Sequence, residues 1–89
     1  MAAVLSHGEG MLVRRALGLE RSRSICRNRV AVHANGEDIR LAECLADKGA
    51  MFRDPREDYG SMRVFRVTPE GARAVSKKLP PALTIQPLN

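Results

Sequence analysis

Large aromatic rings are nearly missing from this 89-residue chain, which has no tryptophan, one tyrosine and two phenylalanines. Its core must therefore be built from Val, Leu, Ile, Met and Ala, and a chain this short buries only about 60 to 65% of its unfolded surface. Modest stability follows. No apolar run approaches the roughly 20 residues of a membrane span, and the N-terminus lacks a charged-then-apolar leader, so a cytoplasmic location with no membrane is expected. Cysteine is scarce too. Cys26 and Cys44 are separated by seventeen intervening residues with no C-x-x-C pairing, which suits small buried apolar residues or free thiols better than a disulfide.

The chemistry-bearing residues are equally thin. His7 lies in an N-terminal tail and His33 at a strand end without a paired carboxylate, and Ser6, Ser22, Ser24, Ser61 and Ser76 have no nucleophile-elbow context. His7, Cys26, His33 and Cys44 lack the short spacings of a zinc site, while Gly8 and Gly10 neither follow a strand nor precede a lysine as a phosphate loop requires. No enzyme, metal or cofactor is expected.

What is present is a well-punctuated order of elements. Leu12, Ala16 and Leu19 line one side of a short amphipathic segment, giving a helix near 11–18 behind a flexible tail at 1–10. Residues 27–33, RNRVAVH, alternate as a strand with Val30 and Val32 inward, and Asn35 with Gly36 then makes a turn. Ile39, Ala42, Leu45 and Ala46 share a face of a helix near 38–48 that Gly49 stops. Residues 51–54 and 62–67 pair as a hairpin. Thr68, Pro69 and Glu70 form an N-cap, a first-turn proline and a dipole-matched acid that open a helix near 69–79, which Pro80 and Pro81 end. The tail at 80–89 is either a flexible end or an arm laid on the body or on a partner.

Leu45, Gly49, Arg53, Asp54, Pro55, Asp58, Thr68 and Gly71 make an L-x-x-x-G turn, a charged hairpin and a T-x-x-G helix start. That stretch, a little under half the chain, resembles the wing of MarR-like winged-helix domains. The resemblance implies an α+β fold: a small winged-helix-like domain at 11–79 with a two-stranded antiparallel hairpin and about three helices. A second pattern spans about two-thirds of the chain. Ala16, Leu17, Gly18 and Leu19, then Arg27, Asn28 and Arg29, then Gly49, then Phe65, Val67, Thr68 and Gly71 are similar to small uncharacterised bacteriophage- and prophage-encoded proteins. Cys26 departs from that pattern, since it stands where an aromatic residue is expected. The resemblance implies a phage or prophage origin and a bacterial host cell, and it implies no activity.

Charge points to the working surface. The chain is net +5, and residues 13–33 alone carry Arg14, Arg15, Arg21, Arg23, Arg27 and Arg29 against Glu20. The remainder sums to zero. In the position of a recognition helix, Glu37, Asp38, Glu43 and Asp47 outweigh Arg40 and Lys48, so this helix would meet phosphate repulsion in a DNA groove. Arginine outnumbers lysine twelve to three, which suits bidentate anion contacts, although a solvated face is the plain alternative. In the wing loop, Arg53, Arg56 and Arg63 around Tyr59 suit backbone contacts, but Asp54, Glu57 and Asp58 interleave with them and a self-compensated loop is as good a reading. The expected site is Arg21, Arg23, Arg27, Arg29, Arg63 and Arg66, centred on Arg27 and Arg29, which project opposite Val30 and Val32. Its expected partner is a DNA or RNA backbone or a bacterial nucleoprotein complex. The alternative is a protein–protein inhibitor of a bacterial host machine, such as an anti-defence or anti-CRISPR-like protein.

Overall fold

A computed structural model describes residues 4–87. In chain order the elements are α1 (His7–Ala16), β1 (Val30–His33), α2 (Asp38–Asp47), β2 (Met51–Arg53), β3 (Met62–Val67) and α3 (Pro69–Ala74). Single 3-10 turns stand at Pro55–Glu57 and Pro81–Leu83. The architecture is a small α+β domain of three helices and one antiparallel sheet among the described residues. None of these helices is long and apolar enough to cross a membrane.

The sheet has three strands, in the order β1-β3-β2, and so exceeds the two-stranded hairpin expected from the sequence. Beside the hairpin register that sets Met51 against Val67, β1 adds to the free edge of β3 with Val30 opposite Phe65 and Val32 opposite Arg63. The addition has a double cause. Val30 and Val32 need an apolar cover, and the unpaired edge of β3 needs hydrogen-bond partners. Val30, Val32, Met51, Phe65 and Val67 are all buried on one sheet face, where they meet Leu12, Val13 and Ala16 of α1, Ala42 and Leu45 of α2 and Ala72 of α3. That face is the core.

The first helix begins four residues before the expected position 11, and residues 7–10, expected in a flexible tail, form its opening turns. A capping box accounts for this. The Ser6 hydroxyl accepts from the Glu9 amide at 3.2 Å, and the Glu9 carboxylate accepts from the Ser6 amide at 2.8 Å. Glu9 is buried and also accepts from Lys48 Nζ at 2.6 Å, tying α1 to the end of α2. Its carboxyl is held below the usual range, first by the Lys48 hydrogen bond and then by the Ser6 amide.

Each helix closes on a left-handed residue: Gly18 at φ 79°, Gly49 at 75° and Ser76 at 63°. In each case the following amide reaches back to the third-last helical carbonyl, as in Leu19 to Arg14, Ala50 to Leu45 and Lys77 to Ala72. The third closure ends α3 at Ala74, short of the expected residue 79. The chain then turns so that Leu79 enters the core. Beyond it the tail lies on the body: the Leu83 carbonyl accepts from Asn28 Nδ2 at 2.8 Å, and that of Gln86 accepts from Arg56 at 3.3 Å. The last two residues of that tail and residues 1–3 lie outside the described part.

Candidate functional site

The arginine-rich connection between α1 and β1 is held by the end of α1. An α-helix leaves its last carbonyls without partners. Here each is used: Leu19 N–H donates to Arg14 O at 2.9 Å, Arg29 N–H to Ala16 O at 3.0 Å and Cys26 N–H to Leu17 O at 3.1 Å. The Arg15 carbonyl takes both Nε and Nη2 of Arg27, at 3.2 and 2.8 Å. A cation at a helix C-terminus also meets the negative end of the dipole. Arg27 reaches Glu20 as well, at 3.2 Å, so it is a structural clamp whose guanidinium still stands about half exposed.

Arg29 differs from its neighbour. Its backbone is fixed by Ala16, its side chain is exposed, and its guanidinium has no hydrogen-bond or ion-pair partner among the described residues. Arg21 and Arg23 are likewise exposed, with no such partner for either side chain among the described residues. Their loop is tethered at one point, where Lys77 Nζ donates to the Arg23 carbonyl at 2.9 Å. Four of the six expected site residues therefore share one connection, and three of those four are free.

The other two arginines belong to the hairpin. Arg63 spends its Nη1 on the carbonyls of Gly60 and Met62, at 3.1 and 3.2 Å, and stabilises the turn. Arg66 is largely buried: its Nε donates to Asp54 at 2.6 Å and its Nη1 to the Asn28 carbonyl at 2.8 Å, with Glu57 at 3.6 Å. Asp54 is 1% exposed and also accepts from Arg56 Nε at 2.7 Å. The Arg56 and Arg66 hydrogen bonds outweigh burial and hold the Asp54 carboxyl down at about 2. Asp58 pairs with Arg53 and accepts from the Val64 amide at 2.9 Å, which lowers its carboxyl in turn. Most of the charge in the loop between β2 and β3 is thus spent within the loop and on the sheet face opposite the core.

Asn28 is a structural residue that the sequence reading placed only within a basic triplet. Its side chain follows the inward phase of Val30 and Val32 and is 3% exposed. It extends the β1–β3 pairing by accepting from the Val67 amide at 2.6 Å and donating to the Val67 carbonyl at 3.0 Å. The alternation 28, 30, 32 was the available signal.

Three concavities adjoin the basic connection, one of them, about 390 Å³, lying on the connection itself between Gly18, Arg21, Cys26 and Arg27. Arg27, Arg29, Ala31 and Tyr59 line a shallow depression of about 320 Å³. Met11, Leu12, Leu19 and Leu41 line a larger groove of about 490 Å³ between α1 and α2, with the Arg15–Asp38 ion pair, 2.8 Å, also in its wall. Cys26 and Cys44 are exposed free thiols, and among the described residues no group of three His, Cys, Asp or Glu side chains converges as metal ligands. No protein-family model, curated protein or solved structure matches the chain.

Proposed function

We propose that this protein is a non-catalytic, winged-helix-like binding module that holds nucleic acid, free or within a nucleoprotein complex, through backbone phosphates. The observation behind this reading is the set of guanidinium groups of Arg21, Arg23 and Arg29 on one connection, unpaired among the described residues, with the half-exposed Arg27 beside them. Acid is almost excluded from that connection, since its lone carboxylate, Glu20, lies against Arg27. Contacts of this kind position a protein on the backbone and give little sequence preference. The net acidic α2 argues against base reading in a groove. Under this reading the protein is an accessory factor of phage or prophage type acting in the cytoplasm of a bacterial host.

The test is a titration of DNA at several salt concentrations. Affinity should fall with salt with a log–log slope of about 3 to 4 on duplex, and Arg29→Ala should lower it by about one. Because the Arg29 side chain has no partner among the described residues, its removal should leave the melting temperature unchanged. Arg27→Ala should lower both slope and stability, since the Arg15 carbonyl loses its clamp. Absence of binding at low salt overturns the reading. The exposed Met11 in the α1–α2 groove favours the second one, a protein partner within a host machine.

A further inference from the structure

We propose that the depression between β1 and the wing loop is a stacking subsite for an unpaired nucleobase, which makes single-stranded nucleic acid the preferred ligand. The inference rests on the phosphate-binding reading above and adds the class of strand. Tyr59 is the single tyrosine of the chain and the residue is 54% exposed, whereas Phe65 is buried in the core. Exposed aromatic rings on a basic surface are the usual platform for bases.

The ring stands on a rigid support. Tyr59 N–H donates to the Met62 carbonyl at 3.3 Å and the Met62 amide donates back at 2.7 Å, forming an isolated bridge at the base of the loop. Next to it, Asp58 is held by the Val64 amide and by Arg53. Across the depression stand Arg27 and Arg29, with the small side chain of Ala31 between them and the ring. A base on Tyr59 would leave its phosphate within the field of Arg29, while the clamped guanidinium of Arg27 presents a second planar cation. In a duplex the base faces are already stacked on one another, so a single exposed ring finds a face only on an unpaired strand. An acidic peptide with one apolar residue is the competing occupant.

The sole tyrosine in a chain without tryptophan supplies its own probe. Labelled oligo-dT and a matched duplex are titrated into the full-length protein at low salt, with anisotropy and tyrosine emission read together. The expected result is tighter binding of oligo-dT, with quenching of Tyr59 emission that the duplex does not produce. Tyr59→Ala should weaken oligo-dT by about tenfold, Tyr59→Phe should restore most of the affinity, and duplex affinity and melting temperature should stay as in the parent. Equal loss on both ligands, or oligo-dT binding without quenching, overturns the stacking subsite while leaving backbone binding intact. No binding of either DNA overturns both readings and favours the peptide.

Discussion

Substituting Asp54 by Asn removes the carboxylate that two arginines share while keeping its size. Of the two, Arg56 is about half exposed and its share contributes little, because surface ion pairs are typically worth less than 1 kcal/mol. Arg66 decides the outcome. Its side chain is 15% exposed, and it keeps only the Asn28 carbonyl and the more distant Glu57 once Asp54 is neutral. Deleting one partner of a fully buried pair costs about 3 to 5 kcal/mol, and these remaining contacts reduce the expected loss to about 2 to 3 kcal/mol. For a domain of this size that is a fall in melting temperature of roughly 10 to 20 °C. The acid response reflects the same contacts, the Arg56 hydrogen bond first and that of Arg66 after it. The Asp54 carboxyl is lowered from 3.8 to about 2, and that difference is worth about 2 kcal/mol of stability. Since the folded value lies below the unfolded one, this contribution is complete above about pH 4 and disappears as pH falls through 2. Urea unfolding of parent and Asp54→Asn at pH 7 and at pH 2 measures both quantities. Glu9 and Asp58 titrate in both proteins, so the difference between the curves isolates Asp54. If the variant loses less than about 0.5 kcal/mol at pH 7, or the difference persists unchanged at pH 2, the buried-pair account is wrong.

Three further substitutions test the fold around the site. Asn28→Ala should cost about 2 to 4 kcal/mol by stranding both polar groups of Val67 and releasing the Leu83 carbonyl, read by chemical denaturation, with faster proteolysis of the tail as its local signature. Gly71→Ala should cost about 2 kcal/mol, since its Cβ would fall 2.1 Å from the Ala50 carbonyl oxygen, and differential scanning calorimetry will show it. Ser76→Gly should raise stability by about 0.5 kcal/mol, because Ser76 holds φ 63° at the end of α3 and glycine adopts that region without a Cβ clash. A neutral or destabilising result for Ser76→Gly would mean that the closure of α3 is not strained.

The local signals that could be read from the chain were those whose partners lie within one turn. Thr68 is the N-cap of α3, its hydroxyl accepting from the Gly71 amide at 3.1 Å, and Gly49 ends α2 in the left-handed region, as their residue types imply. The start of α1 was legible in principle, because Ser6 and Glu9 have capping-box spacing. Gly8 and Gly10 obscured it. Gly8 lies in the helix where Leu41 of α2 packs close to it, and no sequence pattern reports that approach. Pro80 and Pro81 put the end of α3 near residue 79, yet the chain leaves the helix earlier so that Leu79 can reach the core.

Among the arginines, the sequence determined how many there are and where they cluster, and alternation along residues 27–33 separated the outward Arg27 and Arg29 from the inward valines. Only the tertiary structure decided which guanidinium groups are free. Arg66 reads as outward by its phase in β3, yet the loop between β2 and β3 folds Asp54 over that face and consumes its charge. Arg27 and Arg29 have the same phase, but the Arg15 carbonyl at the end of α1 claims the first side chain and leaves the second. Charge and periodicity are properties of single residues and their chain neighbours. The partner of a long, flexible cation is chosen by what folding brings within about 3 Å of its tip.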